Sequence, residues 1–235
     1  MIHLNFLRRA AYLNPDTLFE HCCPSEQMAQ LEGMVAELSN VRLHPLERKS
    51  LSAVDAWKNR EGRFFASPLR ISWVKFHLEH FHLLANLLRI RNPIQRETDL
   101  LLDYPDKMEG PELDVLIINS EPKSGQFPNY SDAKFDALIQ QLANRGLRVF
   151  CTGTTSEQRA IQTWPRSLLE IGTLSRKARL VAGTATGPLW ATLRPSTRVQ
   201  KWLIGLDCQG EQLDLPGVTQ FQTMDQLTGA VLRSL

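Results

Sequence analysis

Short apolar runs alternate with stretches of helical periodicity along the second half of the chain. LDVLIIN (113–119) is a continuous apolar run, the pattern of a strand covered on both faces. In the following SDAKFDALIQQLANRG, Phe135, Leu138, Ile139 and Leu142 recur at helical spacing. Ser131 or Asp132 can cap the start of that helix, and Gly146 ends it. LRVFCTG (147–153) predicts the next strand, and SEQRAIQTW a short helix or a helix leading into a strand. SLLEIGTLSRKA then predicts a helix, RLVAG a strand, GPLWATLR a helix, VQKWLIG a strand and TMDQLTGAVLRSL a closing helix. Strands that alternate with helices need crossover connections, so the expectation is a mostly parallel α/β sheet of Rossmann type.

The first half carries the same rhythm less cleanly. IHLNFLRRAAYL predicts a helix, TLFEHCC a strand, SEQMAQLEGMVAEL a helix and VRLHPL a strand. WVKFHLEHFHLLANLLRI predicts a long amphipathic helix. The stretch YPDKMEGPE (104–112) is rich in proline, glycine and charge and marks a domain boundary. The expected organisation is therefore two Rossmann-like α/β domains, residues 1–108 and 109–235, with ligand bound in the cleft between them at the carboxyl ends of the strands. The chain opens on a helix where such a domain normally has a strand and a loop. The N-terminal domain is accordingly expected to lack its first strand, as in a truncated or wrongly started form.

Composition narrows the function classes. The chain has 235 residues, 43% of them hydrophobic, and a formal charge of +2, so nothing in it favours a polyanion such as nucleic acid. Four cysteines without regular spacing argue against both a disulfide framework and a zinc site. No apolar run reaches the roughly 18 residues that cross a bilayer, and no signal peptide is evident, so a cytoplasmic location is expected. His77, His80 and His82 share one predicted helix, but no further ligand is signalled and no metal is expected. Asp55, in a polar loop beside Trp57, is either a base or a surface acid. The NYS sequon at 129–131 has no meaning for a cytoplasmic chain.

Two loops carry the candidate chemistry. In LVAGTATGPLW (180–190) an apolar run stops at Gly183 and a helix opens at Gly187–Pro188. Glycine lets backbone approach a ligand, proline suits a first helical turn, and Thr184 and Thr186 add hydroxyls. That combination suits a phosphate, although an ordinary strand-to-helix turn has the same residues. The loop NSEPKSGQFPNYS (119–131) supplies Ser120, Lys123, Ser124, Gly125 and Gln126 after the domain's first strand, again suited to phosphate or to plain solvation. CTGTTS (151–156), with Thr152 and Gly153, is a third loop at the same sheet edge and could wall a nucleoside.

On VLIINSEPKSGQ, SLLEIGTLSRKARLVAGTATGP and the spacing across 113–205, the chain resembles the GT-B glycosyltransferases, especially bacterial ADP-heptose:lipopolysaccharide heptosyltransferases. Thr186 and Gly187 match the family's Thr-Gly before a helix, and Lys123 lies in the loop where the family places a donor-phosphate lysine. Ala185 stands where those enzymes carry Asp, and Trp190 where they carry His. The resemblance implies a nucleotide-sugar donor held by the C-terminal domain as a substrate, with no separate cofactor and no metal. It also implies transfer to a glycan or lipid-linked cell-envelope acceptor, and hence work beside a membrane surface. The catalytic base is unassigned. Two alternatives stay open: a degenerate, non-catalytic nucleotide-sugar-binding protein, and a sugar-nucleotide epimerase of the same fold.

Overall fold

The structure is a computed structural model that describes residues 2–46, 73–101, 104, 112–121, 130–162, 167–194, 200–203, 215 and 217–235. It is an α/β protein with parallel sheets. The described residues divide into two compact units, the first within 2–101 and the second within 104–235. The boundary expected at 108/109 lies outside the described residues. No described helix is long and apolar enough to cross a membrane.

In the first unit, α1 (Ile2–Leu13) is followed by β1 (Phe19–Pro24), α2 (Met28–Val35) and β2 (Val41–Leu46). β1 and β2 pair in parallel, Phe19 opposite Val41 and Pro24 opposite Leu46. α3 (Trp73–Leu88) lies beside α1. Phe6 stacks on Phe81 at 5.0 Å, and both are buried. Polar side chains fix α1 in place. Asn5 donates to the Asp99 carbonyl at 2.7 Å, buried Arg8 donates to the Met34 carbonyl, and Asn40 donates to three carbonyls around the end of α1. The Asn40 amide thereby satisfies carbonyls at and just beyond the end of α1.

Where α1 meets α3, His77, His80 and His3 gather around Phe81, with the His3 and His80 rings 5.5 Å apart. Burial, reinforced by the charges of His3 and His80, pushes the His77 imidazole down to about 3. A base whose folded pKa is depressed binds its proton more readily in the unfolded chain. Its contribution is complete above the ordinary histidine value and is lost as pH falls from there towards 3. Thermal melts from pH 7.5 to 4.5 should therefore show stability falling by up to about 1.4 kcal/mol per pH unit below pH 6.5. His77→Phe should remove most of that slope. A residual slope is expected from His21 on β1, which burial also lowers.

The second unit contains β3 (Leu113–Ile118), α4 (Asp132–Asn144), β4 (Val149–Cys151), β5 (Ile161–Gln162), α5 (Leu168–Lys177), β6 (Ala178–Thr184), α6 (Gly187–Ala191), β7 (Gln200–Leu203), β8 (Val218–Phe221) and α7 (Met224–Arg233). Its six described strands are all parallel, in the order β5-β4-β3-β6-β7-β8. Numbered from β3 as the first, this is the 3-2-1-4-5-6 order of a doubly wound sheet. β3 is apolar apart from Asp114, which pairs with Arg179, because both its faces are covered. Val115 and Ile117 join Leu180 and Ala182 under Phe135, Leu138 and Ile139 of α4 and Leu227 and Val231 of α7. α5 packs on β3 and β6 and is fixed at its start by reciprocal bonds between Ser167 and Glu170.

Two predicted elements differ. SEQRAIQTW forms no helix over its described residues: 157–160 turn, and Ile161–Gln162 add a two-residue edge strand. The edge strand β8 is additional to the predicted set.

Candidate functional site at the switch point of the second sheet

In a doubly wound sheet the chain runs outward in opposite directions from the two central strands, here β3 and β6. The loops at their carboxyl ends diverge and leave a crevice. Ile118 ends β3 directly opposite Gly183 on β6. The two candidate phosphate loops therefore start side by side.

The loop after β3 begins with Asn119 and Ser120. Asn119 is buried and joins two strands' loops: its Oδ1 accepts from the Gly153 N–H at 2.7 Å, and its Nδ2 donates to the Thr154 carbonyl at 3.1 Å. Ser120 Oγ donates to Thr152 Oγ1 at 2.8 Å. Gly153 sits so near Asn119 that a Cβ there would lie 2.6 Å from the Asn119 carbonyl oxygen. Tyr130, just before α4, donates to that same carbonyl at 2.7 Å. Burial and Asp132 push its phenol well above the usual tyrosine range, so it remains a protonated donor.

The far half of the β4 loop is held to α4. Asp136 accepts from the hydroxyls of Thr155 and Ser156 and from the Ser156 N–H at 2.8 Å. The Ser156 and Thr155 hydroxyls hold its carboxyl below the usual range. Cys151, at the end of β4, is buried. Its thiol is pushed up to about 11 by burial first and by Asp136 second, which leaves it a poor nucleophile.

The end of β6, the short turn after it and the start of α6 contribute Thr184, Thr186, Gly187 and Pro188. The Thr184 carbonyl accepts from the Thr186 N–H at 2.6 Å and faces the Thr186 hydroxyl at 3.3 Å, and the Thr186 carbonyl receives the first bond of α6 from Trp190. Gly187 is exposed, its φ is not positive, and a Cβ added to it would meet nothing within 4 Å. The fold itself therefore makes no demand for glycine at 187, whereas close approach of a ligand would.

Thr184 is different. It is fully buried, and its Oγ1 has no hydrogen-bond partner. A buried hydroxyl without a partner costs about 1–3 kcal/mol. Thr184→Val keeps the branched shape and removes that cost, so it should raise the stability of the second unit by about 1 kcal/mol. Urea denaturation monitored by circular dichroism checks this, and a loss of stability would show that the hydroxyl has a partner in solution.

The structure thus brings Ser120, Thr152 and Gly153 together and places Thr184, Thr186, Gly187 and Pro188 at the neighbouring strand end. Lys123, Ser124, Gly125 and Gln126 lie outside the described residues, as do Asp55, Trp57 and the start of the sequon. Asn119 and Tyr130 were missed as site residues. Asn119 is the one polar residue closing the run LDVLIIN, which was the available signal. Among the described residues, no group of three or more His, Cys, Asp or Glu is placed to hold a metal ion. Comparison of the chain with protein-family models, with curated proteins and with solved structures finds no match.

Proposed function

We propose that the second unit binds a nucleotide sugar and that the chain is a glycosyltransferase of the GT-B kind, with the first unit on the acceptor side. The observation that carries this reading is the buried, unpartnered Thr184 hydroxyl at the switch point, beside a loop that Asn119 and Ser120 tie to Thr152 and Gly153. A diphosphate offers the acceptor oxygens that a spare hydroxyl needs. On this reading Thr184, Thr186 and Ser120 hydrogen-bond the donor phosphates, and Lys123 from the adjacent loop neutralises the charge that grows on the leaving diphosphate. Gly187 leaves room for the phosphate to approach backbone.

The test is calorimetric titration of nucleoside diphosphate sugars, followed by an assay for free nucleoside diphosphate with and without glycan acceptors. Saturable binding with donor turnover supports the transferase. Binding without turnover reduces the chain to a binding module, isomerised donor makes it an epimerase, and no saturable binding overturns the reading.

A further inference from the structure

Tyr104 is buried in the second unit, in a socket behind the switch point. Its hydroxyl donates to the Ala191 carbonyl at 2.5 Å, and Ala191 is the last residue of α6. Arg194 holds the other side of Tyr104. It is buried too, its guanidinium lies 4.1 Å from the centre of the Tyr104 ring, and it donates to the Tyr104 carbonyl at 2.7 Å. A cation stacked on the ring and bonded to the backbone of the same residue fixes both.

The third wall of the socket is Gly172, in the middle of α5. A Cβ there would collide with the Tyr104 hydroxyl, and would lie 2.5 Å from the ring carbon that bears it and 2.7 Å from the Ala191 carbonyl oxygen. Glycine inside a helix costs stability relative to alanine. The φ of Gly172 is not positive, so what it supplies is room for the hydroxyl to reach that one carbonyl.

α6 is short, and the phosphate turn runs straight into it. The Trp190 N–H bonds the Thr186 carbonyl, and the Thr186 N–H bonds the Thr184 carbonyl. At the far end the Thr192 hydroxyl donates back to the Leu189 carbonyl at 2.6 Å. A helix of five residues, bonded at both ends in this way, moves as one piece with the turn before it.

We propose that Tyr104 is a positioning residue for the phosphate turn: its hydroxyl fixes the end of α6, and α6 sets where the Thr184 and Thr186 hydroxyls stand. The inference rests on the phosphate-binding reading of that turn. Tyr104 comes three positions after Leu101, the last described residue of the first unit. The chain that leads into the second unit therefore helps to set the affinity of its site. By linkage, a ligand on the turn favours Tyr104 in its socket by the same factor.

The test is calorimetric titration of inorganic pyrophosphate, and of a nucleoside diphosphate sugar, into the full chain and its variants. Tyr104→Phe keeps the ring beside Arg194 and removes the bond to Ala191. Both ligands should bind it about fivefold more weakly than the wild type, the low end of a typical coupling. Its melting temperature should fall, because the Ala191 carbonyl loses a buried partner. Gly146→Ala is the control. It lowers stability at the turn between α4 and β4 and should leave both affinities unchanged. Arg194→Lys keeps the charge but loosens the hold on Tyr104, and should weaken both ligands in the same direction; it takes the place of Tyr104→Phe if that variant does not fold. Equal affinities in Tyr104→Phe and the wild type, or equal losses in Tyr104→Phe and Gly146→Ala, would overturn the inference and leave the phosphate reading standing. No saturable binding of either ligand by the wild type would overturn the phosphate reading and the inference with it.

Discussion

Gly183→Ala is expected to destabilise the second unit by about 3 kcal/mol, at the upper end of the usual cost of overpacking. Gly183 faces Ile118 across the two central strands. A Cβ there would collide with the Ile118 carbonyl oxygen and would lie 2.6 Å from its Cβ and 2.8 Å from its carbonyl carbon. The obstacle is backbone in the middle of a covered sheet, so no side chain can swing aside. Separating the strands would break the register from Leu113 to Gly183 that carries the core. Gly146 makes the contrast. It has a left-handed φ of +76°, but a Cβ there meets nothing within 4 Å. Gly146→Ala should therefore cost only the conformational term, about 1 kcal/mol. Urea denaturation of both variants gives the ranking. A Gly183→Ala protein as stable as Gly146→Ala would mean that β3 and β6 do not pack as described.

Arg8→Ala should have a comparable effect on the first unit, again about 3 kcal/mol. Arg8 is 1% exposed, donates to the Met34 carbonyl at the end of α2 and pairs with Glu37. Alanine would remove the partner of a buried carbonyl, strand a carboxylate and leave the volume of the side chain empty. Removing one member of a fully buried pair costs roughly 3–5 kcal/mol, but the Glu37 side chain is 24% exposed and can regain water, which places the expectation at the lower bound. Arg8→Lys should recover only part of the loss, because one ammonium cannot present the fork that serves both partners. A variant within about 0.5 kcal/mol of the parent would remove Arg8 from the list of residues that hold α1 to α2.

The parallel α/β character was legible because buried parallel strands leave a plain signal. LDVLII and ARLVAGT are apolar almost without interruption, and the helix between β3 and β4 repeats its apolar residues at 135, 138, 139 and 142. The element that escaped is at an edge: β8 is four residues, VTQF, with two polar positions. At β5, two residues with Ile161 half exposed, the strand is one of the expected alternatives, but the helix expected before it is absent. An edge strand buries too little to mark itself in the sequence. In the site, the loops were legible as loops, but their connections were not. Ser120 and Thr152 are 32 positions apart and meet only because β3 and β4 are neighbours in register. That the Thr184 hydroxyl lacks a partner is a property of packing around the end of β6, which local sequence does not encode.

The central claim is that the end of β6 meets a ligand's phosphates. The most direct measurement is calorimetric titration of one nucleoside diphosphate sugar into the wild-type chain and into Thr184→Val, with melting curves of both. The expected result is saturable binding to the wild type, affinity weakened about tenfold in the variant, and a melting temperature that is unchanged or higher. Equal affinities in a folded Thr184→Val protein, or no saturation of the wild type by any nucleoside diphosphate sugar, would contradict it.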